Sequence, residues 1–299
     1  MTEGIANVGV GEYKAAWEQT RAACALDDNM PCTHENPFGG ADPAIVARGY
    51  ATLSGLALGY LDQCLSLVHE ALEIARKRDH AFTVAWALLI AARIYREAGR
   101  FDEALSIGNE AIALCERYGF VARMGTVLLQ TGAAYCRVGE TERGLADIRR
   151  GLQLWPSTSS RFHMSFCLSE FADCLLRVEE YDEADRALRE AEQIVAETDE
   201  RSHVAELLRL RGLLLALHGD VADGTARLWE AVEWSRSRSA KLFELRALRD
   251  LARIDASQSR ETAAKALREV VGWFPEALDI PDLQEARYVM EQQSKWARR

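Results

Sequence analysis

Apolar positions along this chain fall into columns forty residues apart. The string Gly99-Arg100-Phe101-Asp102-Glu103-Ala104-Leu105 returns as Gly59-Tyr60-Leu61-Asp62-Gln63-Cys64-Leu65, Gly139-Glu140-Thr141-Glu142-Arg143-Gly144-Leu145 and Glu179-Glu180-Tyr181-Asp182-Glu183-Ala184-Asp185, with weaker copies starting at Gly219 and Gln258. Twelve residues beyond the anchors stand Ala71, Ala111, Gly151, Ala191 and Ala231. Three earlier are Val68, Gly108, Ile148, Leu188 and Leu228; three later are Ile74, Leu114, Leu154, Ile194 and Trp234. Offsets of three share one helix face, so a small residue flanked by larger ones marks a close helix crossing. A second small column, Thr52, Ala92, Gly132, Ala172 and Gly212, precedes the anchors by seven. Bulky Tyr95, Tyr135, Leu175, Leu215 and Ile254 precede them by four, as knobs for those holes. Each unit therefore reads as helix A, a tight turn at the anchor, then helix B. A fixed period of this length predicts stacked supersecondary units.

Proline placement points the same way. Pro31, Pro37 and Pro43 cluster near the start, Pro156 stands alone, and Pro275 and Pro281 lie near the end. The two intervals between those groups run for more than 110 residues without proline. A proline inside a helix costs about 3 kcal/mol, so such intervals suit dense helix. They are rich in Ala, Leu, Glu and Arg, and strand-like alternation of β-branched residues is missing. The expected fold is all-α, a right-handed α-solenoid of antiparallel helix pairs with a 40-residue period.

The repeated turn resembles the tetratricopeptide repeat, whose turn carries Gly-x-Tyr/Phe-x-x-Ala and whose second helix repeats a small residue seven later. The usual repeat has about 34 residues, so here six more lengthen the helices or the loop between units. HEAT and armadillo repeats approach forty but lack that turn. The resemblance covers about residues 43–271 and degrades in the sixth unit, where Arg260 and Val270 replace the aromatic and the small residue. It implies six such helix-turn-helix repeats over 43–271, an N-terminal half-repeat and loop over 1–42, and a capping helix within 272–299.

Both ends carry separate information. Gly11-Glu12-Tyr13-Lys14-Ala15-Ala16 repeats the turn, and Ala23 falls twelve beyond Gly11. With only ten residues before it, this reads as a helix B without its helix A, leaving an apolar face for a private cap or for self-association. Residues 28–43 are rich in Pro, Gly and Asn, and the spacing from Gly11 to Gly59 exceeds the period by eight, so a loop is expected there. Downstream, Gly272-Trp273-Phe274-Pro275-Glu276-Ala277-Leu278-Asp279-Ile280-Pro281-Asp282-Leu283-Gln284-Glu285-Ala286 leaves the register. Asp279 followed by Pro281 and Asp282 signals a helix start, predicting a last helix over about 281–296. This ending resembles the C-terminus of bacterial proteins that join a class III adenylate/guanylate cyclase, an AAA-type ATPase and a tetratricopeptide array. The turn Phe38-Gly39-Gly40-Ala41-Asp42-Pro43 and the segment Gly59 to Gln63 are similar to the same family's array. The resemblance concerns only that family's C-terminal region and implies a regulatory region of, or partner to, such a cyclase–ATPase.

Composition narrows the classes. Of 299 residues, 48% are hydrophobic and 27% charged, and Lys plus Arg number 36 against 46 Asp plus Glu, for a net charge of −10. That balance argues against nucleic acid as a partner. No run of 18 apolar residues suggests a membrane partner, and no secretory leader is read at the N-terminus. Seven cysteines without framework spacing suit a reducing cytoplasm. Neither a phosphate-binding Gly-x-x-x-x-Gly-Lys-Ser/Thr loop nor a Gly-x-Ser-x-Gly or His-Glu-x-x-His motif occurs, so the chain is read as non-catalytic and without a cofactor. Cys32 and His34 supply two ligands where a metal site takes three or four, so no metal is expected. Cys167 and Cys174 lie two helical turns apart, too far for a disulfide. His218, before a turn glycine, suits a helix C-cap, and Trp273 and Phe274 suit docking of the last helix better than a ligand cage.

One constellation points to binding. In this repeat class, helix A positions two, three and six before the turn line the concave groove, which here places Arg93, Arg96, Arg137 and Arg177 there, with Asp173 and Glu97 among them. Such a row suits bidentate clamping of carboxylates on an acidic protein or peptide partner. The alternative is a set of solvated side chains bridging neighbouring repeats. The expected function is a helical-repeat scaffold that holds a protein segment in its groove.

Overall fold

The computed structural model describes residues 1–27, 40–154, 163–254, 260–276 and 279–296. Cys32, His34, Pro31, Pro37, Pro156 and the sixth anchor Gln258 lie outside them. The described residues form helices and turns without a strand.

The anchors are the places where the backbone turns back. Gly59, Gly99, Gly139 and Gly219 have φ of 88°, 76°, 90° and 96°, and Glu179, which stands where the others have glycine, adopts 64°. This left-handed conformation ends helix A of these five units and points the chain back along it. A second column twenty residues later, Asp79, Gly119, Asp199 and Ser239, is also left-handed and ends helix B of four units. The resulting pairs are α3 (Pro43–Leu58) with α4 (Leu61–Arg78), α5 (Ala81–Glu97) with α6 (Phe101–Tyr118), α7 (Val121–Arg137) with α8 (Thr141–Leu154), α9 (Met164–Arg177) with α10 (Tyr181–Thr198), α11 (Val204–Leu217) with α12 (Val221–Ser237), and α13 (Lys241–Arg253) with α14 (Arg260–Trp273). The helices of the best-formed units run 17 or 18 residues with connections of two or three, so the residues beyond a standard repeat lengthen the helices.

Within a pair the small columns meet. Ala71, Ala111, Ala191 and Ala231 are at most 1% exposed. At the crossing of α7 and α8 a Cβ on Gly132 would sit 2.5 Å from the Gly144 carbonyl oxygen, so neither backbone leaves room for a side chain there. Cys64 replaces alanine in the same column as Gly144, and its thiol donates to the Thr52 carbonyl at 3.5 Å.

The N-terminus departs from the expected lone helix B. Residues Thr2–Gly9 form α1, which buries Gly4 and Val8 against α2 (Tyr13–Asp27), so two helical turns suffice for a shortened helix A. Nor is the face of this pair left open for self-association. The Arg201 amide donates to the Gly9 carbonyl at 2.7 Å, the Tyr13 hydroxyl donates to the Ser202 carbonyl at 2.7 Å, and the Tyr13 and Phe243 rings meet edge to face. The chain's own later units cover it.

That contact is part of a larger closure. A single apolar core joins residues of α3 to α7 with residues of α12 to α14 and the last helix, α15 (Pro281–Trp296), while a second core fills α7 to α11. Trp273 stacks on Tyr60, and Phe274 packs against the Gly59 turn. The right-handed coil thus brings its last unit back against its first, with helix A of every unit lining the inside.

No helix among the described residues is long and apolar enough to cross a membrane.

Candidate functional site: a channel inside the coil

The inner face divides along the helix A axes. Where the C-terminal ends of α5, α7 and α9 face α11, α13 and α15 it is ionic. Arg96 on α5 pairs with Glu97 at 2.7 Å and with Glu170 on α9. Asp173 on α9 accepts from Arg177 at 2.9 Å and from Arg209 on α11 at 3.1 Å. Arg209 also reaches Asp250 on α13 at 2.8 Å. Arg246 on α13 binds Glu97 at 2.6 Å and Asp282 on α15 at 2.7 Å, and Arg249 reaches Asp282 at 2.8 Å. Burial alone would lift the carboxyl pKa of Glu97, yet the Arg246 and Arg96 guanidinium groups overcome it and hold Glu97 at about 2. Asp250 and Asp282 are likewise buried and Asp173 half-buried, and their arginine partners hold each below the usual carboxylate range. The network leaves a cavity of only about 50 Å³. It forms the floor of the channel.

Besides Glu97, four of the other five residues assigned to the groove from sequence, Arg96, Arg137, Asp173 and Arg177, come together at this floor. Their carboxylate partners are in the same chain, because closure of the coil sets α11, α13 and α15 opposite α5, α7 and α9. They are neither a bare row of cations nor loose surface side chains. Arg96 is buried, whereas Arg137, 3.6 Å from Glu285, and Arg177 keep side-chain exposures of 28% and 39%. Glu170, Glu206, Arg209, Arg246 and Arg249 are not singled out by the sequence pattern, and Asp282 only as a helix start. Their signal is present as charges on helix A faces and at the start of α15, but only closure shows that they face one another.

Arg93, the fifth residue, lies one turn nearer the N-terminal end of α5, in a separate chamber of about 340 Å³. Tyr50 on α3, Phe82 and Trp86 on α5 and Phe166 on α9 form much of its wall. The Tyr50 and Trp86 ring centroids are 6.0 Å apart, and His163 stacks on Tyr50. The Arg93 guanidinium lies 4.0 Å above the Phe166 ring, and Arg123 on α7 lies 5.2 Å from Phe82 and 5.6 Å from Trp86. Neither arginine forms an ion pair among the described residues. Burial pulls the Arg123 pKa down to about 10. Arg93 meets His203 instead, Nη2 to Nε2 at 3.3 Å. A guanidinium only donates, so Nε2 accepts, leaving the His203 proton on Nδ1, 2.9 Å from Ser202 Oγ. Burial, with Arg93 nearby, keeps His203 neutral well below the usual histidine range. The Nε atoms of Arg93 and Arg123 and the Gln130 side-chain oxygen are buried without a hydrogen-bond partner.

Other sequence expectations find their places. His218 is the C-cap of α11, its ring edge-on to Tyr181. Trp273 and Phe274 join the last unit to the first rather than forming a cage. Among the described residues no group of three or more His, Cys, Asp or Glu is arranged to hold a metal ion.

A tetratricopeptide repeat family model matches residues 43–117, the first two full helix pairs. Among solved structures, a Rap protein complexed with competence and sporulation factor superposes with a TM-score of 0.61 at 12% identity, covering 99% of this chain and 87% of that one. The apo form of RapI gives 0.56 at 13% identity, covering 99% of this chain and 96% of that one. No curated protein matches in sequence. At such identities the likeness concerns the fold: a tetratricopeptide-like coil of helix pairs over the whole chain.

Proposed function

We propose that this protein is a non-catalytic, cofactor-free helical-repeat scaffold that holds a protein or peptide segment at the mouth of its concave channel. The observation that carries the reading is a channel lined by helix A of every unit, whose ionic floor leaves Arg137 and Arg177 partly open at its edge. Acidic side chains of the partner would exchange for Glu285 at Arg137 and share Arg177 with Asp173, while Arg96 stays in the floor and Arg93 in its separate chamber. A Rap protein of this fold has been solved in complex with competence and sporulation factor, which supports a binding role for such a channel. The test is capture from an extract of the native cells, compared between wild type and Arg137→Glu/Arg177→Glu. Proteins retained by wild type and lost by the charge-reversed variant, with unchanged helicity by circular dichroism, support the reading. Identical retention refutes it.

The ending from Gly272 to Ala286 favours a second, finer reading: the chain regulates, or forms part of, a cyclase–ATPase signalling protein. Asp282 in that segment ties α15 to Arg246 and Arg249 in the channel floor, so occupancy of the channel would reach the C-terminal helix directly. Co-purification of a cyclase or an ATPase with the full chain is the expected outcome of this reading. Its absence from the captured set counts against it.

A further inference from the structure

We propose that the aromatic chamber is a binding site for a small organic acid: one carboxylate on an apolar body, with an N–H or O–H donor close to the carboxylate. This inference concerns a site apart from the partner-binding edge and does not depend on it.

The chamber has the size and lining of a small-molecule site, which is usually an apolar cleft of about 300–1,000 Å³ with a few placed polar groups. Its rings would take the apolar body. Its polar groups specify the rest. Two guanidinium groups with no carboxylate partner among the described residues face one cavity, although the channel floor beyond is crowded with arginines that all have one. A buried cation without a counter-ion is costly, and a protein normally removes or pairs it. Glu200, the buried carboxylate at the start of α9, does not serve, because it accepts from the His163 amide at 3.0 Å and the Ser165 hydroxyl at 3.1 Å. Cation–π contacts with Phe82, Trp86 and Phe166 hold the two guanidinium planes at the chamber wall, and neither Nε–H has a partner among the described residues. A ligand carboxylate supplies the missing counter-charge, and the strength of charge-assisted hydrogen bonds to a guanidinium makes it the fitting acceptor.

Gln130 adds the second requirement. Its side-chain oxygen, on the same helix as Arg123, needs a donor. A plain alkanoic or arylalkanoic acid offers none near its carboxylate, whereas an N-acyl amino acid or a hydroxy acid does. The floor sets the upper size, since the ion-paired network closes the channel beneath the chamber.

The test uses the purified full chain and isothermal titration with N-acetyl-L-phenylalanine, N-acetyl-L-leucine, their C-terminal amides, and 3-phenylpropionate. Saturable binding of an N-acetyl amino acid is expected, weaker for its amide and for 3-phenylpropionate by about tenfold or more, the range for losing a hydrogen bond to a charged group. Arg123→Gln is expected to weaken binding similarly while raising the melting temperature of the unliganded protein, because it removes an unpaired buried charge. Arg93→Gln, with helicity checked by circular dichroism, gives an independent second reading. Equal binding of acid and amide, or no saturable binding of either acid, overturns the inference. So does a pentapeptide ending in the same residue that binds more than tenfold tighter than the acetylated amino acid, since the chamber would then belong to the partner segment. The pentapeptide outcome would extend the partner site into the chamber; the others leave capture at Arg137 and Arg177 untouched, so the two readings fail separately.

Discussion

Glu97→Gln isolates the contact that closes the coil. Glu97 joins α5 to α13, receiving Arg246 at 2.6 Å and Arg96 at 2.7 Å, with a side chain only 7% exposed. Glutamine keeps the shape and removes the charge, leaving two buried guanidinium groups short of a partner. Breaking one side of a buried pair typically costs about 3–5 kcal/mol. A carboxyl held at about 2 rather than its ordinary 4.5 gives a matching figure of roughly 3 kcal/mol. The pH dependence has a definite sign. The folded pKa is depressed, so the stabilisation is complete above about 4.5 and disappears as pH falls toward 2. Urea unfolding followed by circular dichroism at pH 7, 5 and 3 should therefore show Glu97→Gln less stable by about 3 kcal/mol at pH 7. The deficit should be nearly as large at pH 5 and clearly smaller at pH 3. Small-angle scattering at pH 7 should also show the variant expanded, since the tie spans opposite ends of the chain. A deficit below about 1 kcal/mol at pH 7, the range of an exposed pair, would refute the reasoning. So would a deficit that stays constant down to pH 3.

Other perturbations test the packing. Ala111→Leu and Ala191→Leu, each fully buried at a helix crossing, should each destabilise by about 1–3 kcal/mol, and melting temperatures within error of wild type for both would misplace the small column. Gly132→Ala should destabilise comparably despite adding one methyl, because the Gly144 carbonyl cannot retreat without moving α8; chemical denaturation measures it. Removing residues 281–299 takes Asp282 from Arg246 and Arg249 and uncovers apolar surface on α13 and α14, so sedimentation should show more association than for the full chain.

The forty-residue beat was legible because helix pairs repeat the same steric problem. A turn demands a left-handed residue and a crossing demands a small one, so Gly99 and Ala111 had counterparts at fixed distances. The second left-handed column escaped notice since its occupants, Asp79, Gly119, Asp199 and Ser239, share a conformation but no side-chain type. Asp tolerates that conformation through local hydrogen bonding, which hides the signal from a search for glycine. The short α1 was missed for a different reason. A helix of eight residues looks too brief alone, yet it needs only to cover α2, and packing rather than propensity supplies its stability.

The site was legible only in part because periodicity fixes neighbours and not the return of the coil. Arg96, Arg137, Asp173 and Arg177 come together because each unit presents that part of helix A inward. Whether such a row faces solvent, a partner or its own chain depends on small rotations between units, summed over six of them, and no single residue records that sum. Once the coil closes, electrostatics sorts the inner face. Where arginine columns meet Glu206, Asp250 and Asp282 from the returning units, the charges neutralise one another and the channel fills. Where the returning units bring no carboxylate, at Arg93 and Arg123, the cations lie on aromatic rings and the space stays open. The chamber is thus a consequence of the same closure that removed the open groove. A helical-repeat chain of this kind gains an enclosed site by curving, without any change to the local pattern that encodes its units.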